Sequence, residues 1–492
     1  MAPGRHRTGR PHPDRSGGAV NENLAALVPE LALLGAAVTG LLAGSWLPRR
    51  RQWIVAVLAA AACATGLAAT AVTMATGREQ TVFSDAFAVD RATDIGRLVV
   101  LTALLLIIGM SVETVRGHRR ETEYWVLLLM TGAGTLALLG ANDLLMLFAA
   151  YLLAGIPAYA LAGFAKDPSG TEAALKYYLM GALLGTTMLA GTALLYGAGH
   201  ATHYRELDTG LSGAPYGLVA VGLVGVLAGL LFKAGAVPAH YWVPDVTDGS
   251  LTPVAAYVTT LPKIGGLIAG YRLLHQALPG TEVNWPLLLA VLAAVTMTLG
   301  NLAAFFQTSV KRLLAYSTIS QVGYLLMALA VATRSDLAQR SLLFYLAAYA
   351  VTNLGAFAVV TELPHTRTLD DYRGLARRHA GLAAVLVVCL LGLVGTPPTG
   401  VFLGKLEIFS AAVDGGYAWL AALAVANTVA SLFYYLRWLA PLFATTAPAP
   451  ADTQAVQGRW SAAIAYTAGA LSLLLGLAGG ALLPLTTGSL LR

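Results

Sequence analysis

Three lysines lie deep inside apolar stretches of the sequence. Lys233 occurs in LLFKAGAVPAHYWVPD, Lys263 in TTLPKIGGLIAGY and Lys405 in GTPPTGVFLGKLEIF. A lysine near the middle of a membrane helix costs about 2.5 to 3.5 kcal/mol on insertion scales, so three without a function would be an expensive burden. We therefore take them as candidate functional residues.

Proton transfer is the chemistry that suits these lysines best. Burial disfavours the charged ammonium, so a lysine in an apolar interior can gain and lose a proton during a working cycle. His240, near the same prolines as Lys233, is a further titratable group and a possible relay, although a loop histidine at the interface is an equal alternative. Water admitted where prolines interrupt helices would connect such groups.

The composition predicts a membrane protein. Of 492 residues, 57% are hydrophobic and 11% are charged, whereas soluble domains contain about 25% charged residues. A spanning helix needs about 20 apolar residues, and about fourteen such stretches can be marked, the first beginning near Leu24. We expect an all-α, polytopic transmembrane domain over residues 23–492, after a disordered polar tail at 1–22.

The basic residues are explained by membrane topology. The net charge is +6, but Lys and Arg occur in short loops and not in a patch with interleaved aromatic residues, so we expect membrane lipid and no nucleic acid as a partner. Their excess in the loops of one side predicts that both termini lie outside the cell.

Two apolar segments are too long for one straight span. The seventh contains Pro238 and Pro244, and the twelfth contains Pro397 and Pro398. Proline removes a backbone donor, so both segments are expected to be broken helices whose freed carbonyls need other partners. Paired broken helices in corresponding halves are typical of inverted-repeat transporters. Ordinary proline kinks are the alternative.

Other charged residues near span ends have simpler interpretations. Arg97 and Arg272 are close enough to an end to reach the interface with their head groups. The acids Asp143 and Glu407 either tune the lysines or lie at the interface.

Motifs for cofactor chemistry are absent from the sequence. Cys63 and Cys389 lie in apolar runs, which disfavours a disulfide, an iron–sulfur cluster or a thiolate zinc site. His200 and His203 have no third ligand nearby, so no metal site is expected. No Walker A, G-x-G-x-x-G or H-E-x-x-H motif occurs. Any redox energy must therefore come from a partner.

Several long strings resemble the antiporter-like membrane subunits of respiratory complex I over most of residues 24–440. They are NDLLMLFAAYLLAGIPAYAL from Asn142, EAALKYYLMGALL from Glu172, FKAGAVPAHYWVPDVTDGSLTPVAAYVTTLPK from Phe232, SVKRLLAYSTISQVGYLL from Ser309, YLAAYAVTNLGAF from Tyr345, LDDYRGLARR from Leu369 and GTPPTGVFLGK from Gly395.

The resemblance implies a fourteen-helix fold with two inverted five-helix repeats, at about 122–275 and about 285–442. It also implies that Lys233, Lys263 and Lys405 relay protons, coupled to electron transfer from NADH to quinone. The expected partners are subunit M-like and K-like membrane neighbours in the bacterial plasma membrane and, through them, a hydrophilic redox arm. NADH, FMN, iron–sulfur clusters and quinone would be bound in those partner subunits.

Within this family, Lys405 favours the subunit N branch. The M branch usually has glutamate there, and the L branch extends into a lateral helix for which this chain is too short.

Two positions depart from the family pattern. Leu152 stands where relatives carry a glutamate in the fifth helix, the carboxylate partner of the seventh-helix lysine, and Gln321 stands where subunit N often has histidine. Two alternatives to a pumping subunit follow: a cation/proton antiporter subunit of the same superfamily, and a structural paralogue with an impaired proton path.

Overall fold

A computed structural model describes residues 23–445 and 458–491, so the expected disordered tail lies outside the described residues. In the described part the α-helices are α1 (Val28–Trp46), α2 (Trp53–Thr76), α3 (Arg91–Val115), α4 (Glu121–Leu139), α5 (Leu144–Ala162), α6 (Pro168–Gly199), α7 (Tyr204–Leu211), α8 (Tyr216–Ala234), α9 (Trp242–Gly249), α10 (Thr252–Ala277), α11 (Trp285–Ala304), α12 (Val310–Ala330), α13 (Leu337–Glu362), α14 (Leu375–Arg378), α15 (Ala380–Val394), α16 (Gly400–Asp414), α17 (Ala418–Leu442), α18 (Arg459–Leu477) and α19 (Gly479–Leu482).

The remaining regular elements are short. The 3-10 turns are Leu24–Leu27, Arg49–Arg51, Leu369–Tyr372 and Leu483–Thr486. A hairpin of β1 (Gln80–Val82) and β2 (Phe87–Val89) pairs antiparallel between α2 and α3, with Thr81 opposite Ala88. Its three-residue strands are too short to show an alternating pattern, so the sequence did not predict it.

The predicted spans all correspond to helices. Among the described residues, twelve helical segments are long and apolar enough to cross a membrane. The eighth span is α10, of 26 residues, and the twelfth is the pair α15 and α16, whose 15 residues each are too few to cross singly. The all-α polytopic fold is therefore confirmed, and the chain is a multi-pass membrane protein. The bounds of the two repeats stay a prediction.

The seventh and twelfth spans are broken in the same way. The seventh consists of α8 and α9, and its break begins at Gly235 (φ +78°); the break between α15 and α16 begins at Gly395 (φ +91°). Each glycine and the residue after it donate both N–H groups to one carbonyl, that of Leu231 in the seventh span and of Leu391 in the twelfth. This positive-φ ending terminates a helix, which excludes a simple kink.

Buried ion pairs join α1, α3 and α10. Arg97 is 0% exposed and lies 2.9 Å from Glu30 and 3.2 Å from Asp94. Arg272, also 0% exposed, donates from both terminal nitrogens to Asp90 at 2.8 Å. The expectation that both arginines reach the interface was wrong, because carboxylates distant in the sequence meet them inside the protein.

The Asp90–Arg272 pair generates a prediction about stability. Asp90→Asn would leave Arg272 buried without a counter-charge, which costs about 3 to 5 kcal/mol of unfolding free energy. Asp370→Asn is the matched control, since Asp370 pairs with Arg373 in water, at side-chain exposures of 79% and 46%. It should cost at most about 1 kcal/mol. Thermal unfolding in detergent measures both, and equal losses would contradict a structural role for the buried pair.

Candidate functional site

All three candidate lysines lie inside the protein. Lys233 and Lys263 are 0% exposed and Lys405 is 3% exposed. Lys233 belongs to the last turn of α8, directly before its break, Lys263 to the middle of α10, and Lys405 to α16, five residues after its first residue Gly400. The structure thus places Lys233 and Lys405 in the broken spans and Lys263 in the middle of a continuous one.

Lys263 satisfies a carbonyl that a proline leaves free. In a regular helix the Val258 carbonyl would accept the N–H of the residue four positions later, but that residue is Pro262, which has none. The Lys263 Nζ donates to this oxygen instead, at 3.0 Å.

The same rule operates at the break of the twelfth span. Pro397 and Pro398 lack the N–H groups that the carbonyls of Leu393 and Val394 would accept four residues earlier. Lys405 Nζ donates to Val394 O at 2.8 Å, and the Gln321 amide donates to Leu393 O at 2.8 Å. Because α15 ends at this break, the carbonyls of Leu393 and Val394 have no helical N–H partner, and one glutamine and one lysine donate to them.

Lys405 has one further neutral partner. Its Nζ lies 3.3 Å from the Thr428 hydroxyl of α17, which in turn donates to the Tyr324 hydroxyl at 3.4 Å. Glu407 forms an ion pair with Arg340 at 2.9 Å, and no described salt bridge joins it to Lys405. The lysine is thus held by uncharged groups.

Lys233 faces α5 through residues other than the expected one. The Tyr151 ring centroid lies 4.6 Å from its Nζ, and a Cβ on Gly155 would lie 3.0 Å from it. Leu152, where relatives carry an acid, is 37% exposed. Because residues four apart share a helix face, Tyr151 and Gly155 face Lys233 from the same side of α5. That position 152 is the place of the carboxylate partner stays a prediction.

Lys233 differs from the other two lysines in its hydrogen bonding. Among the described residues its Nζ has no hydrogen-bond partner. It packs against Gly266 of α10, whose added Cβ would meet the Lys233 side chain at 3.3 Å. Lys233 thus lies against the helix that carries Lys263.

His240 lies in the break of the seventh span, as its neighbouring prolines predicted. Its ring is 5% exposed and lies 4.4 Å from the ring of Tyr241. No hydrogen bond between described residues joins it to a lysine, and its Nδ1 is unpaired there. Asp143 is likewise separate, since it caps α5 by accepting from Leu145 N and Met146 N.

A chain of neutral polar groups connects α10 with α12. Thr259, one turn before Lys263, accepts at its carbonyl from the Tyr349 hydroxyl at 2.7 Å, and that hydroxyl lies 3.0 Å from the Thr318 hydroxyl. Thr318 and Gln321 are three residues apart on α12 and so share a face. Gln321 then reaches the break beside Lys405, as described above.

These linking residues are invisible to a search for charges. Tyr345, whose hydroxyl bonds Gln321 Oε1, and Asn353, whose amide donates to the hydroxyls of Thr259 and Thr260 at 3.0 Å, are also neutral. Polar residues recurring in the tenth and eleventh spans were the signal that could have found them.

A cavity of about 600 Å³ opens at the start of α10. Arg312 pairs there with Asp245 at 2.9 Å, and the half-buried Lys311 donates to Ser250 O at 2.7 Å. Thr252, the first residue of α10, also lines the cavity. This is the side on which the predicted inward-facing basic loops lie, so α10 leads from a charged vestibule toward Lys263.

Within residues 23–445 and 458–491, no group of three or more His, Cys, Asp or Glu is arranged to hold a metal ion.

The fold and site together define an antiporter-like membrane subunit. The family model described as NADH:quinone oxidoreductase/Mrp antiporter, TM, matches residues 141–431, which include both broken spans and all three lysines. NADH-quinone oxidoreductase subunit N 1 of Streptomyces griseus is 57% identical, covering 95% of this chain and 98% of that relative. Subunit N of Mycobacterium sp. is 52% identical, covering 94% and 98%. The chain belongs to the subunit N family of NADH-quinone oxidoreductase.

A solved structure agrees with this membership. A chain of respiratory complex I from Thermus thermophilus, with bound aureothin, superposes with a TM-score of 0.81 at 34% identity. The match covers 94% of this chain and 100% of that one.

The contact between Gly395 and Lys405 generates a prediction. A Cβ at position 395 would lie 2.9 Å from Lys405 Cδ, so Gly395→Ala must displace the lysine as well as strain a positive-φ residue. Gly416→Ala is a matched control, because Gly416 has φ +86° but no atom within 4 Å of its added Cβ. We expect Gly395→Ala to lose about 1 to 3 kcal/mol more unfolding free energy. Equal thermal shifts for the two variants would contradict close packing of Lys405 on the break.

Proposed function

We propose that this chain is a proton-translocating membrane subunit of a bacterial NADH-quinone oxidoreductase. Electron transfer from NADH to quinone in partner subunits drives protons through it across the cell membrane. The observation that carries the proposal is the burial of three lysines in the spans, two of them bonded to backbone carbonyls, with neutral polar groups lying between those two.

The proposed relay uses Lys233, Lys263 and Lys405 as proton carriers. A neutral amine accepts a proton and an ammonium returns it, and the low dielectric of the span interior keeps the two states close in free energy. The Tyr349 and Thr318 hydroxyls can donate and accept, so in this proposal they take part in the path together with water that completes it between the lysines.

The other groups have supporting parts in this proposal. The Gln321 amide holds the break of the twelfth span but does not titrate. His240, at the break of the seventh span, is a candidate relay. The vestibule around Asp245 and Arg312 is the proposed entrance, since its lining is polar and α10 connects it with Lys263.

Redox chemistry is assigned to the partners in this proposal. NADH, FMN, iron–sulfur clusters and quinone are bound by a hydrophilic arm and its neighbours, and this chain has no redox centre of its own. It meets that arm through M-like and K-like membrane subunits.

A cation/proton antiporter subunit is the second candidate, favoured by the inclusion of Mrp antiporters in the matching family. It predicts sodium-dependent growth effects and no co-purification with hydrophilic redox subunits. A structural paralogue is the third, since Lys233 has no carboxylate partner among the described salt bridges.

Lys405→Ala tests the proposed function directly. The substitution removes the proposed proton carrier of the twelfth span, and alanine favours the helix, so α16 and the complex should still form. We expect several-fold fewer protons to be moved per NADH oxidised. NADH-driven acidification of inverted vesicles gives the proton yield, and quinone reduction gives the electron rate.

The control is Arg373→Ala, because Arg373 is an exposed cation that pairs with Asp370 at 3.1 Å and does not line the vestibule. Its proton yield should stay at the wild-type value. If Lys405→Ala pumps like wild type, the lysine is not a carrier; a sodium-dependent growth defect would then support the antiporter, and its absence the structural paralogue.

A further inference from the structure

Each of the three buried lysines faces an aromatic ring. The Nζ of Lys233 lies 4.6 Å from the centroid of Tyr151, and the Nζ of Lys405 lies 4.2 Å from the centroid of Tyr324. Lys263 lies 5.1 Å from the ring of Trp242. In the described part of the chain, no salt bridge contains any of these lysines. Rings therefore occupy the places where buried cations usually find carboxylates.

The arrangement occurs twice in equivalent places. Tyr151 lies in the fifth span and faces the lysine of the seventh, and Tyr324 lies in the tenth span and faces the lysine of the twelfth. In each of the two proposed five-helix repeats, the tyrosine thus lies in the second helix and the lysine in the fourth. Both tyrosines also begin a Tyr-Leu-Leu sequence. Two matching ring–lysine pairs indicate a built feature of the fold and not a single accidental contact.

The ring faces are fixed by packing. Tyr151 is 1% exposed and Tyr324 is 0% exposed, and the Tyr151 hydroxyl donates to Gly181 O at 3.3 Å. Trp242 is held more firmly still, since its indole N–H donates to Phe232 O at 3.1 Å and its ring stacks on Tyr177 at 4.2 Å. The rings thus cannot turn away when the lysines change charge.

An aromatic face is a weak counter-charge. Its quadrupole attracts an ammonium within about 6 Å, most strongly where water is excluded, and attracts a neutral amine little. A buried carboxylate stabilises the ammonium far more, because a desolvated opposite charge acts through a low dielectric. A ring therefore favours the protonated lysine without holding the proton as tightly as an acid would.

We propose that Tyr151, Tyr324 and Trp242 are positioning residues whose ring faces stabilise the charged state of Lys233, Lys405 and Lys263 in place of carboxylates. This inference rests on the proposed proton relay. Tyr151 supplies for Lys233 what the acid of the fifth helix supplies in relatives, so the loss of that acid does not leave the lysine without electrostatic support.

Tyr324 offers the cleanest test, because few titratable groups face Lys405. They are the phenols of Tyr324 on α12 and Tyr345 on α13. Tyr345 packs against Gly404, the residue before the lysine. Thr428 on α17 is also a polar neighbour, but its hydroxyl does not titrate. Lys233 is more crowded, with Tyr151 and Tyr159 on α5 and Lys263 on α10 nearby.

The experiment compares Tyr324→Leu with Tyr324→Phe in the assembled complex. Leucine removes the ring, so the ammonium of Lys405 is less stable and deprotonates at lower pH. The alkaline limb of the proton yield per NADH should move down by about one pH unit. Phenylalanine keeps the ring face and should leave the limb within a few tenths of a unit of wild type. Tyr124→Leu, at a buried tyrosine bonded to Ser111, is the control for loss of packing.

A second series keeps the packing constant in case the leucine variant does not assemble. Phenylalanines with one, two and three ring fluorines at position 324 lower the ring quadrupole stepwise with little change of shape. The alkaline limb should move further down with each fluorine. Equal profiles across this series, or equal shifts for Tyr324→Leu and Tyr324→Phe, would overturn the inference.

A readout independent of pumping separates this inference from the proposed function. The neutral amine of Lys405 reacts with acetic anhydride, and mass spectrometry of the complex gives the acetylated fraction against pH. Tyr324→Leu should move that curve to lower pH by the same amount as the pumping limb. If the acetylation curve of Tyr324→Leu is the same as that of wild type, the ring inference is overturned. If the curve moves but the wild-type complex pumps no protons, the proposed function is overturned and the ring inference stands.

Discussion

The constraint on which this site depends is that a backbone carbonyl cannot remain unpaired in the interior of a membrane protein. Prolines at positions 262, 397 and 398 each remove the N–H that a carbonyl four residues earlier would accept. Lysine or glutamine side chains from the protein interior donate to all three of these oxygens. The prolines and the polar side chains are therefore parts of one arrangement, because each would be costly without the other.

The two halves of the fold use this arrangement with different lysines. In the twelfth span the break and its lysine belong to the same segment, since Lys405 turns back to Val394. In the seventh span Lys233 lies before the break and its Nζ makes no hydrogen bond to a described residue. The lysine near this break is Lys263 of the next span, whose Nζ would lie 3.5 Å from a Cβ added at Gly235. A positive-φ glycine suits both places, because an added Cβ would lie 2.9 Å from Lys405 at position 395 and 2.7 Å from Val243 at position 235.

The features that depend on local sequence were predictable. Span positions follow from the lengths of apolar runs, the breaks follow from paired prolines, and the burial of Lys233, Lys263 and Lys405 follows from their depth in those runs. The site hypotheses themselves stay proposals. What could not be predicted depends on which faces of distant helices meet. The ring of Tyr151 lies 4.6 Å from the Nζ of Lys233, and no pattern in α5 states the rotation that brings the two together.

Charge is buried in two chemically different ways in this membrane domain. Arg97 and Arg272 meet carboxylates in ion pairs, and arginine stays protonated at any physiological pH, so these charges are permanent and join helices. The deep lysines meet carbonyls, hydroxyls and ring faces, which stabilise a positive charge but give the neutral amine a comparable environment. An acid beside Lys405 would hold the proton on that lysine more tightly than its neutral partners do. The use of neutral partners for lysine and acidic partners for arginine is thus the division expected where some buried charges must stay and others must move.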